Sequence, residues 1–197
     1  MPQFPLPETV QQILHKGATP VVPIAADSTG AYVPAGGVTQ IVGGTGDAIT
    51  VGVIRPSNTT SYTAGDAVGA TSAIWEFPLI GTAGSQIVIT DSILHFDLSA
   101  VPAGMTSFTL HLFSSSPTAI ADNAAWTLAT AQALIYLGSI NLGTPVDLGS
   151  VLLVEQTSLN KVVKLASTSL FGLVVTAGAY AGASATPIQI TLNAVEV

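Results

Sequence analysis

Charge is scarce in this chain. Four of its 197 residues are Lys or Arg and eleven are Asp or Glu, 8% in all, where a soluble domain carries about 25%. Four cations cannot line a nucleic-acid backbone, which excludes nucleic acid as a partner. The same count offers no attraction to anionic lipid. The acidic residues are scattered, so there is no acidic tail. Cysteine is absent, which excludes disulfides, a thiolate nucleophile and cysteine-ligated zinc or iron–sulfur sites. That absence fits assembly in a reducing cytosol. Long apolar runs are missing too, although 48% of residues are hydrophobic and the mean hydropathy is +0.61. A membrane-spanning helix needs about 20 nearly unbroken apolar residues. The nearest stretch, Leu170 to Ala181, is short and contains Gly172, Thr176 and Gly178. The start, Met1-Pro2-Gln3-Phe4-Pro5, has no basic or apolar leader pattern, so no secretory signal is expected. What remains is a polar surface of Ser, Thr, Asn and Gln. Such a surface is weakly protected against association, and it reads as one to be covered by copies of the chain or by a larger assembly.

Proline divides the sequence. Pro2, Pro5, Pro7, Pro20, Pro23, Pro34 and Pro56 fall within residues 1–57, and proline cannot donate to a ladder or sit in a helix interior. This part is expected to be an extended arm. One short helix is predicted over Glu8 to Lys16. Pro7 suits its start, Glu8 complements the dipole, His15 and Lys16 close it, and Gly17 can cap it. Val10, Ile13 and Leu14 share one face, too little to hold a helix alone in water. Phe4, Leu6, Val10, Ile13 and Leu14 are the anchors through which the arm would grip a partner subunit or a neighbouring copy. Val38–Val42 and Ala48–Ile54, joined through Gly43-Gly44-Thr45-Gly46-Asp47, could form a hairpin.

Residues 58–197 change to short β-branched runs between turns. Strands are predicted at Ala73–Leu79, Gln86–Phe96, Phe108–Phe113, Val151–Val154, Val162–Leu165, Leu170–Thr176 and Ile188–Leu192. One internal helix is predicted over Leu128–Tyr136, where alanines cluster. The pattern is that of an all-β, jelly-roll-like sandwich of about eight strands.

No motif for catalysis emerges, and no enzyme activity, cofactor or metal is expected. There is no nucleophile elbow; Gly81-Thr82-Ala83-Gly84-Ser85 has the wrong order. The glycines at 43, 44 and 46 precede a strand and not a helix, so they do not form a phosphate cradle. His95 and His111 lie on separate predicted strands. Paired beside Asp91 or Asp97 they could hold a metal; without ligand spacing they read as polar positions on the outer side of a sandwich. Glu76, Asp91, Asp97 and Glu155 are strand-borne carboxylates, and nothing marks two of them as a glycosidase pair. Arg55, the one arginine, is expected to bond carbonyls or a carboxylate. Trp75 and Trp126 could stack on sugar, and core burial is the commoner fate of such rings. Asn58-Thr59-Thr60 matches a glycosylation sequon but has no leader to give it meaning.

Two groups of strings resemble a known class. They are Tyr62-Thr63-Ala64-Gly65-Asp66-Ala67-Val68-Gly69, and Ala121-Asp122-Asn123-Ala124-Ala125-Trp126-Thr127-Leu128 with Tyr136-Leu137-Gly138 and Asn160 to Gly172. Together, over residues 60 to 192, they resemble small virion proteins of tailed bacteriophages, of the capsid decoration or cement type. The resemblance implies a jelly-roll or related β fold and a homotrimer. It places the protein on the outside of the phage head, with the major capsid protein as partner. It carries no site residues. The rival expectation is a head- or tail-fibre module that binds glycan, with Trp75, Trp126, Tyr62 and Tyr180 partly exposed.

Overall fold

In a computed structural model of the chain, the residues described are 25–26, 32–33 and 46–197. The chain forms two compact units, Met1–Val42 and Gly43–Val197. In the first, β1 (Ala25–Ala26) and β2 (Tyr32–Val33) pair antiparallel. The helix predicted over residues 8–16, the run Val38–Val42 and the anchors Phe4, Leu6, Val10, Ile13 and Leu14 lie outside the described residues.

The second unit is an all-β sandwich. One sheet contains β3 (Gly46–Ile54), β13 (Pro187–Glu196), β6 (Gln86–Phe96), β10 (Leu152–Gln156) and β9 (Val146–Asp147) in that order, with β11 (Lys161–Lys164) also on β6. The other contains β4 (Ala67–Val68) and β5 (Ile74–Phe77), both on β12 (Leu170–Thr176), then β7 (Phe108–Phe113) and β8 (Tyr136–Gly143). Every pairing is antiparallel. β4 and β5 occupy one position beside β12, and β10 and β11 share one beside β6. The strands therefore occupy eight jelly-roll positions, four in each sheet, with the two-residue β9 added at the edge of the first.

Alternation of side chains explains why these segments are strands. In β7, Phe108, Leu110 and Leu112 point inward and are buried. In β6 the phase changes midway: Ile87 and Ile89 are buried, then Ser92, Leu94 and Phe96. A bulge accounts for it, since Asn193 faces Asp91 while the next residue, Ala194, faces Ile89. Thr90 is the extra residue, and the slip returns the later apolar side chains to the core. Trp75, Phe77, Phe96 and Phe108 fill the space between the sheets, and Phe96 and Phe108 pack at 5.1 Å between centroids.

Two expectations are corrected. Residues 46–54 are not part of an arm ending at 57. They form β3, matched to β13 over an unbroken nine-residue register from Ile54–Pro187 to Gly46–Val195, and the division between units falls at Val42. Nor is Leu128–Tyr136 a helix. Only Thr130–Gln132 makes a 3-10 turn, without a side-chain cap at its start. Leu128 and Leu134 are exposed, so no apolar stripe docks the run, and alanine propensity alone does not sustain two turns. Tyr136 is instead drawn into β8 opposite Phe113.

Truncation separates the two boundaries. A chain starting at residue 43 should keep the cooperative thermal transition of the sandwich, followed by far-UV circular dichroism. One starting at residue 58 loses β3 and Arg55 and should show no such transition.

Candidate functional site

Among the described residues, the most heavily bonded side-chain cluster lies where three connections meet. Arg55 follows β3 directly and is 3% exposed. It forms an ion pair with Asp122 at 3.0 Å, both side chains being 2% exposed. Asp122 Oδ2 accepts from Arg55 Nη2 at 3.0 Å and Nε at 3.3 Å. Asp122 Oδ1 accepts from the Tyr62 hydroxyl at 2.5 Å and the Gly69 amide at 3.0 Å. Arg55 Nη1 donates to the Ala183 carbonyl at 2.7 Å, and its guanidinium lies 4.8 Å from the centre of the Tyr62 ring. Tyr180 packs on Tyr62 at 4.7 Å. The cluster joins the β3–β4, β7–β8 and β12–β13 connections, with Gly69 added from just beyond the end of β4. Gly182 leaves the room: a Cβ there would collide with Arg55 Nη1.

The electrostatics are those of a closed site. Burial opposes the charge on Arg55, yet Tyr62 and Asp122 outweigh it and the net shift is upward from its ordinary value. Burial, then Tyr180 and Asp122, push the Tyr62 phenol far above its ordinary 10.0. Burial does the same to Tyr180. The four donors saturate the Asp122 carboxylate, whose oxygens offer about four acceptor sites. Nothing is left over for a substrate, so the chemistry of this cluster is cohesion.

The second feature is the 22-residue segment 114–135 between β7 and β8. It lies over the outer face of the second sheet and is pinned along its length. The Ala73 amide donates to Ile120 O at 2.8 Å, the Ala67 amide to Ala124 O at 2.9 Å, and the Trp126 amide to Gly65 O at 3.0 Å. Beneath it sits a second apolar cluster of Ala67, Ala73, Phe113, Leu173 and Val175, with Trp126 and Tyr136 packed against it. His111 lies under Trp126, 4.0 Å between ring centres, and its Nδ1 is 3.0 Å from the Tyr136 hydroxyl. Burial lowers its pKa from 6.5 to about 4. On the surface of the segment an open cavity of about 240 Å³ lies beside Trp126.

The structure disperses most of the other candidates. His95 is on β6 in the first sheet and His111 on β7 in the second, so they do not meet, and His111 is covered where an outward polar position was expected. His95 Nδ1 and the core-facing Ser92 Oγ are buried without hydrogen-bond partners. Glu76 accepts from Ser169 Oγ at 3.0 Å and belongs to the second sheet. Asp91 is in the first sheet, on β6, and Glu155 on β10. Trp75, Tyr62 and Tyr180 are buried, so of the four rings proposed for sugar contact, Trp126 alone reaches the surface. Arg55 bonds both a carbonyl and a carboxylate, as its position implied. Its partner Asp122 was not foreseen. The signal available was that Asp122 and Tyr62 both stand in the strings that resemble virion proteins, and those strings meet in space through the Asp66–Ala125 bridge.

No protein-family model matches the chain, and neither does any curated protein. Several solved structures are similar at low identity. One is the capsid of Ralstonia phage GP4, 17% identical with a TM-score of 0.38, covering 77% of this chain and 85% of that one. Another is Desmodium yellow mottle tymovirus, 14% identical with a TM-score of 0.27, covering 78% and 87%. A third is a Clostridium thermocellum xylanase with CBM22 and GH10 modules, 8% identical with a TM-score of 0.27, covering 74% of this chain and 26% of that one.

Two predictions follow the geometry. Arg55→Leu strands Asp122 as a buried, unpaired charge and should cost about 3–5 kcal/mol, as breaking buried pairs does. The double variant Arg55→Leu, Asp122→Leu should recover part of that loss; urea denaturation of both reads the difference. For His111 the unfolded ring takes up a proton below pH 6.5 while the folded ring resists to about pH 4. Its contribution is therefore intact above pH 6.5 and is lost as pH falls from 6.5 towards 4. Discounted for partial exposure, the loss is about 1–2 kcal/mol. Comparing wild type with His111→Gln by denaturation at pH 7 and pH 4.5 isolates it: the wild type should show the steeper decline.

Proposed function

We propose that this chain is a structural virion protein: a capsid decoration or cement protein, homotrimeric, seated on the outside of a phage head. It bridges subunits of the major capsid protein. One observation carries the proposal. The protein is a jelly roll, an architecture used by viral shells and by lectins, and it withdraws charge from a surface already poor in it. Arg55, Asp66 and Asp122 are all buried. A lattice component meets neighbours over much of its surface, and each exposed charge there must be matched or desolvated. The strings that resemble virion proteins support the same function, since they supply Tyr62, Gly69 and Asp122 to the cluster around Arg55 and residues 121–128 to the segment over the second sheet.

The arm supplies attachment under this proposal. Phe4, Leu6, Val10, Ile13 and Leu14 give it apolar anchors, whose burial against a capsid subunit would drive attachment. A second function, glycan binding by a head- or tail-fibre module, is favoured by Trp126 beside its cavity. The burial of Trp75, Tyr62 and Tyr180 weighs against it.

Co-sedimentation with undecorated heads of the phage that encodes the chain tests the proposal. The full chain should pellet with the shells, and the chain lacking residues 1–42 should stay in the supernatant while keeping its β-sheet spectrum. Full-length protein that never pellets would refute shell binding. A truncated chain that pellets as well as the full one would remove the arm from the attachment.

A further inference from the structure

Segment 114–135 holds one buried amide side chain that the fold leaves unused. Gln132 is 9% exposed, and its backbone is satisfied on both sides. Its amide donates to Ala129 O at 2.9 Å, and its carbonyl accepts from the Ile135 amide at 3.1 Å. Its carboxamide bonds to no other described residue. That group offers two donors and an acceptor oxygen, and burying them unpaired is costly. The residue borders the open cavity of about 240 Å³ beside Trp126. What satisfies the carboxamide comes through that opening.

The rest of the lining narrows the ligand. Trp126 contributes an indole that is held twice: its backbone amide donates to Gly65 O at 3.0 Å, and its ring packs on His111 at 4.0 Å between centres. Ile120 and Ala125 add apolar surface, and Ile120 O is tied to the Ala73 amide at 2.8 Å. Thr118 and Thr127, both exposed, bring hydroxyls that donate and accept. Among the described residues, no charged side chain lines the cavity. A charged ligand therefore finds no counter-charge, and a purely apolar one leaves Gln132 unpaired. A neutral molecule with a C–H face for the indole and hydroxyls around its rim meets both demands. A sugar ring is built in that way. At about 240 Å³ the cavity is below the roughly 300–1,000 Å³ of drug-sized sites, which limits it to one ring.

We infer that the cavity between Trp126 and Gln132 is a binding subsite for one neutral sugar ring. The indole packs on the C–H face of the ring, and the Gln132 carboxamide with the two threonine hydroxyls bonds its hydroxyl groups. The hydrogen bonds that fix Ile120, Trp126 and Gln132 from behind lower the cost of ordering on binding. The subsite uses none of the buried rings Trp75, Tyr62 and Tyr180. It also stands independently of shell binding, since every residue it needs lies in segment 114–135.

Saturation-transfer NMR on the full chain tests it. The probes are glucose, galactose, mannose and N-acetylglucosamine, each as the free sugar and as its methyl glycoside. At least one should bind at millimolar concentration. Gln132→Leu keeps a side chain of similar size, removes its hydrogen bonds and should raise that dissociation constant about tenfold or more. Trp126→Ala should abolish binding, and far-UV circular dichroism checks that each variant is folded. A glycoside that binds assigns a ring linked into a glycan, and binding by free sugars alone assigns a monosaccharide. A panel in which nothing binds, or binding that Gln132→Leu leaves unchanged, would overturn the subsite. So would indole fluorescence that shifts with undecorated heads and with no sugar, which makes the cavity a shell contact. Shell binding is read separately by co-sedimentation, so failure of the subsite leaves that proposal standing.

Discussion

The sandwich depends on one buried ion pair. Arg55 and Asp122 are 67 residues apart and belong to different connections, so their contact closes a long loop at an entropic cost. Each charge is also taken out of water, which a bare ion pair does not repay. The surrounding donors and acceptors change that balance. Tyr62, Gly69 and Ala183 complete the hydrogen bonding, and an uncompensated charge would be far worse than the pair. The result is less a source of net stability than a constraint on arrangement: three connections have one way to satisfy both charges together. From that follows the placement of segment 114–135, and from the segment follow the covered second sheet, the stack of Trp126 on His111 and the neutral state of that histidine.

Much of the sandwich was legible because strands announce themselves by period. Gln86–Phe96, Phe108–Phe113 and Leu170–Thr176 have the bounds that their β-branched and alternating residues imply. β8 was not legible. Its sequence, Tyr136-Leu-Gly-Ser-Ile-Asn-Leu-Gly, alternates weakly, and two irregularities interrupt its pairing with β7. β4 has two residues, Ala67 and Val68, too few for any periodicity. The helix drawn over 128–136 shows propensity overridden by the absence of a face to bury. The boundary at 57 followed Pro56, but a proline just after a strand ends it without excluding what precedes it, and Gly46–Ile54 pairs fully with β13.

The site was legible only in half. Arg55 announced itself by being alone, and its bonding to a carbonyl and a carboxylate follows from guanidinium chemistry. Asp122 sits in a run of small residues with nothing to mark burial, because pairing across the chain leaves no local pattern. The covered state of His111 was hidden for the same reason: outward positions on a strand are polar by period, and only the fold shows that a 22-residue connection roofs them.

Charge ties these observations to function. The chain begins with few charged residues, removes three from its surface, and turns an uncharged face outward over the second sheet. A protein that works alone in solution pays for such a surface in solubility, whereas one built into a lattice is covered by its neighbours. The proposed lattice is the exterior of a phage head. Cryo-electron microscopy of undecorated heads mixed with saturating full-length protein tests it most directly. The account predicts added density outside the shell, at repeated lattice positions, into which the two-sheet sandwich fits. A map identical to that of the undecorated head would contradict it.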